Sequence, residues 1–385
     1  MQIWREMARG GMEELVFCHD PSSGLKAVIA IHNTALGPAL GGCRCWTYAS
    51  EEEAIHDAVK LAKGMTYKNA MAGLPYGGGK AVVWNETDAS DQTLAGEPVG
   101  EKLADSGKGD TLGGRMMDPA KGEVLRALRF RALGRCLERL KGRFVTGLDL
   151  GTTASDMDQI RLETAYVTDT TGSLGAQDDF TADMTAYGVY TGIVTSLRHQ
   201  GGADLQGLPI AVQGLGKVGY ALCRYLHAAG ARLIVADVVP ERVQRALVQF
   251  SGAISADPAR IHAADCTVFA PCALGGVLTP ATVEELHCSI VAGAANNQLH
   301  DRQLVVRRMQ ARGILYAPDY VLSAGGIIST ACELQGAGPD QIRQKVAGIA
   351  GTLSKVYTEA AQSGVSTADA ADGLAEAILK SGRTK

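Results

Sequence analysis

What this chain lacks narrows its function before any motif is considered. It contains no apolar, uncharged run of about eighteen residues, the length a membrane-crossing helix needs, and Met1 to Gly10 carries charges where an export signal would be apolar. A cytoplasmic protein that does not engage membranes is expected. Basic clusters are missing as well. The 37 lysines and arginines are scattered among 41 aspartates and glutamates for a net charge of -4, so nucleic acid finds no electropositive footprint. The 9 cysteines form no C-x-x-C pair, which excludes the common zinc and dithiol patterns. They are expected to be buried, reduced thiols, and no metal site is foreseen.

A chain of 385 residues can build two domains, each with its own core and with a cleft between them. In the first half, 25–32 has the pattern of a strand, and 51–64 that of an amphipathic helix capped by Ser50 with Glu53 three residues on. A glycine-rich turn at 73–80 leads into an apolar strand at 81–84. Residues 85–117 are polar and lack apolar periodicity, as expected of a surface excursion, before a helix resumes at 123–140. From Leu208 short apolar strands at 209–213, 232–237, 266–270, 289–292 and 314–316 alternate with helices, which predicts a parallel sheet wrapped by helices.

The first of those strands runs into Gly214-Leu-Gly216-Lys217-Val218-Gly219 and a helix. In such a fingerprint the first glycine permits the tight turn, the second lets backbone approach a pyrophosphate, and the third lets helix and strand pack closely. The amides at the helix start favour phosphate charge. Asp237 follows the second strand, where a carboxylate accepts hydrogen bonds from ribose hydroxyls and repels a 2'-phosphate, so NAD is expected over NADP.

A second constellation is Lys68 and Lys80 around a run of small residues. A phosphate loop is excluded, because it needs glycine where Leu74 stands and serine or threonine where Ala81 stands. The glycines instead suit a substrate lying against backbone between two ammonium groups. One lysine would hold a carboxylate; burial and a neighbouring cation would push the other toward service as a base. Asp149, between a strand and a cap-rich turn, is the candidate acid, though each of these residues also fits a surface or turn role.

These residues fall within ordered segments: Leu36 to Gly42 with Arg44, Gly64 to Asn69, Gly77 to Lys80, Asp149 with Gly151 to Thr153, Thr185 to Tyr190, the glycine fingerprint, Ala270 to Gly275, Gly293 to Leu299, Ala317 to Tyr320 and Ala324 to Gly326. Together they resemble the Leu/Phe/Val branch of the glutamate dehydrogenase superfamily, with the leucine dehydrogenases nearest. The resemblance implies an α/β substrate and oligomerisation domain over 1–182, a doubly wound Rossmann NAD domain over 183–350, and a C-terminal helix over 351–385 returning to the first domain. It implies that Lys68 binds the substrate carboxylate, that Lys80 activates the attacking water, and that Asp149 exchanges protons with Lys80. Asn297, with Asn296, would place substrate beside the nicotinamide, whose carboxamide Thr185 would hold.

By the same resemblance, Leu40, Gly41, Gly42, Val321 and Ala324 are candidate side-chain pocket walls. Glutamate-specific relatives carry lysine at the position of Leu40, so an apolar L-amino acid is expected, leucine ahead of valine or isoleucine. An aromatic amino acid is the alternative substrate, and a catalytically silent NAD- or amino-acid-binding homologue the alternative class. The products would be a 2-oxo acid and ammonia, and the partner a further copy of the chain. Three departures stand out: the insertion at 85–117, the unusual segment 172–181 together with Ser323 where asparagine is usual, and an end at Lys385 earlier than the resemblance leads one to expect, which bears on assembly.

Overall fold

The computed structural model describes residues 2–85, 119–177, 179–202, 204–273 and 275–382. The expected excursion therefore lies, from residue 86 onward, outside the described residues. The chain groups into two compact units: Met1–Asn33, Pro38–Lys63 and Gly78–Thr171 in the first, and Thr34–Gly37, Gly64–Gly77 and Gly172–Lys385 in the second. The division is not a single cut in sequence. Short segments from the first part of the chain, including the one that carries Lys68, group with the C-terminal unit.

The first unit is built on a five-stranded sheet in the order β1-β2-β4-β3-β5. Its strands are β1 (Glu14–Asp20), β2 (Leu25–Asn33), β3 (Ala39–Thr47), β4 (Gly77–Asn85) and β5 (Phe144–Leu148). β2 runs antiparallel to β1 and β4, whereas β3 and β5 are parallel. Alternation along β2 serves two cores. Leu25, Ala27, Ile29 and Ile31 pack with Phe130, Leu133 and Leu137 of helix Pro119–Arg139, while Val28 and Ala30 pack with Ala54, Ile55, Ala58 and Val59 of helix Glu51–Met71. A strand apolar on both faces is thereby fully covered.

Three local expectations change. The helix beginning at Glu51 continues past Gly64 to Met71, because an isolated glycine lowers helix stability by only about 1 kcal/mol and does not end the helix. Lys68 is thus in a last helical turn and not in a loop. The glycines before Lys80 belong to β4, where Ile31 pairs with Gly79 and Ala30 with Lys80. A side chain at Gly79 would lie 2.8 Å from the Phe144 ring, so this glycine serves packing and not a turn. β1 and β3 had no clear alternation in the sequence, and neighbouring strands supply what the pattern lacked.

The second unit carries a six-stranded sheet in the order β11-β10-β9-β6-β7-β8. Its strands are β6 (Pro209–Gln213), β7 (Arg232–Ala236), β8 (Ile254–Ser255), β9 (Val268–Pro271), β10 (Ile290–Val291) and β11 (Leu315–Tyr316). Every recorded pairing is parallel. The order reverses between β6 and β9, the switch point at which doubly wound sheets bind ligands. β8, two exposed residues long, was not expected from sequence.

The C-terminal segment is two helices, Ile349–Ser363 and Thr367–Gly382, and not one. Gly364 adopts φ 67°, and Ser366 caps the second helix, its hydroxyl accepting from the Asp369 amide at 3.0 Å. These helices meet segments from the first part of the chain that share their unit. Thr352 donates to the Met71 carbonyl, and the Tyr67 hydroxyl donates to Glu376 at 2.9 Å.

Helix Ala154–Arg161 has a reciprocal cap, with the Asp156 amide donating to Thr153 Oγ1 at 3.3 Å and the Thr153 amide to Asp156 Oδ2 at 2.8 Å. Thr153→Ala is expected to lower stability by about 1 kcal/mol. Denaturant unfolding of the two proteins measures this, and an unchanged midpoint would show that the cap contributes nothing.

Candidate active site

Lys80 projects from a strand whose residues from Gly77 to Val83 are all buried, and it is itself 4% exposed. A buried ammonium needs a partner of opposite charge. Its Nζ lies 2.8 Å from Oδ2 of Asp149, the residue that follows β5. β3 runs between β4 and β5, so the two side chains must meet across an intervening strand. Gly42 of β3 makes this possible: a Cβ there would fall 2.8 Å from Asp149 Cβ and 3.2 Å from Lys80 Nζ. Glycine is required here to leave room for an ion pair, with no left-handed backbone involved.

The charge that meets Lys80 is thus the Asp149 carboxylate. Asp149 meets a further cation, the Arg44 guanidinium, whose Nε donates to the same Oδ2 at 3.0 Å. Burial pushes the Asp149 carboxyl up, but Lys80 and Arg44 outweigh it and hold the group well below the usual carboxylate range. Arg44 also donates to Asp57 at 2.9 Å, and Asp57 accepts from the Tyr48 hydroxyl at 2.6 Å. Leu40, Gly42 and Arg44 share one face of β3, and Leu40 is fully buried. Gly41 is on the opposite face with Ala39, Cys43 and Cys45, which pack in the apolar core, so the three proposed wall residues of β3 do not act on one side.

Within the second unit, Lys68 Nζ donates to Asn296 Oδ1 at 3.1 Å. Asn296 and Asn297 are exposed in a turn after β10, with Asn297 at φ 53°, a left-handed conformation that asparagine tolerates better than most residues. Asp319 fixes the turn from beneath, accepting from the Gln298 amide at 3.0 Å. Burial pushes its carboxyl up, with the charge of Lys68 acting in the opposite sense. Val321 and Ala324 are 2% and 1% exposed. Thr185 lies on helix Phe180–His199, its hydroxyl donating to the Thr181 carbonyl at 2.9 Å. Gly325 and Gly326 let their helix approach it: side chains there would fall 2.0 Å from the Met184 carbonyl oxygen and 2.9 Å from Thr185 Oγ1.

The glycine fingerprint lies between β6 and the helix that follows it. Gly214 turns at φ 92°, Gly216 precedes helix Lys217–Ala228, and a Cβ on Gly219 would fall 1.9 Å from the Gly214 carbonyl oxygen. At Gly216 a Cβ would meet no atom within 4 Å, which leaves open space beside the start of the helix. Asp237, 9% exposed, accepts from the Leu215 amide at 2.6 Å and the Val239 amide at 2.8 Å, so it braces the loop. Arg242 lies 3.7 Å from it. Lys217 is exposed and paired with Asp179 at 2.7 Å, and Val218 is half-buried.

Sequence reasoning assigned no role to Arg44, Asp57, Tyr48 or Asp319. The signal for Arg44 was its two-residue spacing from Gly42 on β3. Among the described residues no group of three or more metal-ligating side chains occurs, and no helix is long and apolar enough to cross a membrane. All 9 cysteines are free thiols.

Comparison with known proteins agrees with this geometry. The family profile described as Glu/Leu/Phe/Val dehydrogenase, dimerisation domain, matches residues 12–96, and that described as Glutamate/Leucine/Phenylalanine/Valine dehydrogenase matches 241–378. The chain is 44% identical to leucine dehydrogenase of Thermoactinomyces intermedius over 98% of this chain and 93% of that protein. It is 40% identical to valine dehydrogenase of Streptomyces albus over 98% and 94%. The crystal structure of L-tryptophan dehydrogenase from Nostoc punctiforme superposes with a TM-score of 0.77 at 37% identity, covering 99% of this chain and 100% of that one.

Proposed function

The chain belongs to the Glu/Leu/Phe/Val dehydrogenase family, and from that premise we propose that it oxidatively deaminates an apolar L-amino acid, leucine ahead of valine or isoleucine, to its 2-oxo acid and ammonia, reversibly and with NAD. The observation that carries this reading is the buried ion pair of Lys80 with Asp149, a proton donor and acceptor 2.8 Å apart. A protein that only bound a dinucleotide or an amino acid would have no use for it.

A nicotinamide held there would supply the acceptor for the hydride of the substrate Cα. The loop from Gly214 to Gly219 would hold the pyrophosphate, Asp237 the ribose, and Thr185 the carboxamide. Lys68, oriented by Asn296, binds the substrate carboxylate, and Asn297 steadies the amino acid. In the ion pair Lys80 donates to Asp149 Oδ2. Moving that proton onto the carboxylate leaves an amine that takes one from the water attacking the imino carbon, and the pair returns the protons as ammonia departs. Leu40 and Gly42 in the first unit, and Val321 and Ala324 in the second, are apolar or small, which supports an uncharged substrate side chain. The profile named for a dimerisation domain supports assembly of further copies of the chain.

The names of the relatives span leucine, valine and tryptophan, and differences of a methylene or two between substrates are worth only ~1–3 kcal/mol. Following NADH formation with leucine, valine, isoleucine, phenylalanine and tryptophan, each with NAD and NADP, tests the proposal. Leucine with NAD is expected to give the highest kcat/KM. A best rate with phenylalanine or tryptophan would move the protein to the aromatic class, and no reduction with any of the five would remove the proposal.

A further inference from the structure

We propose that Arg44 is a positioning residue for the proton transfer, the fixed cation that holds the Asp149 carboxyl group in place while the proton passes between it and Lys80. The inference rests on the reading of Asp149 as the partner of Lys80. Both cations bind the same oxygen, Lys80 at 2.8 Å and Arg44 at 3.0 Å. Whenever Lys80 gives up its proton, Asp149 loses one of its two positive partners. A guanidinium does not titrate in the working range, so Arg44 alone keeps the carboxylate in place through that step.

Arg44 is itself held. Its Nη1 donates to Asp57 of the flanking helix, and Tyr48 fixes the same Asp57 oxygen. Lys80, Asp149, Arg44 and Asp57 form an alternating, neutral chain of charges in which the geometry of each is set by the next. The other ionisable groups around Asp149 are committed elsewhere. Asp156 is paired with Arg126 at 2.7 Å, Asp169 accepts the Leu148 amide at 2.9 Å, and burial raises the Cys43 thiol, which therefore stays neutral. The outer side of Arg44 lines a cavity of about 1150 Å³ together with Tyr48, Asp57 and Leu150. Small solutes can therefore reach the guanidinium position from that side.

Arg44→Ala is expected to lower kcat ~100-fold with the amino-acid KM within about threefold, the size of effect that loss of orientation produces. The acidic limb of the kcat/KM profile, which belongs to the Lys80 and Asp149 pair as a unit, should move up by ~1 pH unit, since removing a cation favours the protonated pair. Added guanidinium should recover part of the rate. Arg44→Lys keeps the charge without the planar fork, so its acidic limb should match the wild type while kcat falls ~10-fold. Wild-type kcat and an unshifted limb in Arg44→Ala would overturn the proposal. If that variant does not fold, wild-type kcat in Arg44→Lys overturns it instead. Asp149→Asn separates the two layers: an active Asp149→Asn removes the reading of Asp149 itself, whereas an inactive one beside an unaffected Arg44→Ala removes only the role of Arg44.

Discussion

Lys80→Ala is expected to reduce turnover by at least ~10³-fold while dinucleotide binding survives. The side chain is buried in β4, and its ammonium is the group that can hand a proton to Asp149 and take one from water. Alanine removes both functions, and water filling the space is held by no comparable base. The fold should persist, because Asp149 keeps its bond to Arg44 and is not left as an unpaired charge. The fingerprint loop from Gly214 to Gly219 belongs to the other compact unit. Single-turnover NADH formation and titration of NAD by fluorescence, made on the same folded preparation, check the two halves of this expectation. Turnover within tenfold of wild type would mean that another group is the base.

Gly219→Ala is expected to weaken dinucleotide binding by ~10–100-fold, with little effect on any property set by the first unit. The added methyl would overlap the Gly214 carbonyl oxygen and press on Cys272, so helix Lys217–Ala228 must retreat from β6. Overpacking of this kind costs about 1–3 kcal/mol, and a helix that retreats also withdraws its amides from the phosphates; 1.4 kcal/mol is tenfold in affinity. Gly216→Ala is the informative contrast. Its methyl meets no protein atom within 4 Å, so the protein without ligand should be as stable as the wild type and the loss should appear only on adding NAD. Thermal melts of both variants with and without NAD measure this. Equal NAD-induced stabilisation in Gly219→Ala and the wild type would show that the loop does not bind a pyrophosphate.

Much of the second unit was legible because its signals are local. The turn at Gly214, the helix start at Gly216 and the acid at the end of β7 lie within about thirty residues, and each follows from a short-range steric or hydrogen-bonding demand. The first unit was less legible. The extension of the helix at Glu51 through Lys68 was hidden by Gly64, a residue that lowers helix propensity without forbidding it. β3 was hidden because Gly41, Gly42 and Arg44 interrupt any apolar alternation, and Gly41 could not be separated from Gly42 before the strand's two faces were known.

The sequence by itself determined the class of chemistry: a dinucleotide fingerprint followed by an acid, two lysines flanking glycines, and an aspartate before a capped helix, in an order that chance does not produce. Those features are carried by residue type and short spacing. Tertiary structure decided which charges meet. Lys80 meets Asp149 because β3 brings Gly42, with no side chain, between them, and Arg44 joins the pair because it stands two residues further along the same strand face. Contacts between strands distant in sequence depend on sheet order and on what the intervening strand omits, and neither quantity is written in any single segment of the chain.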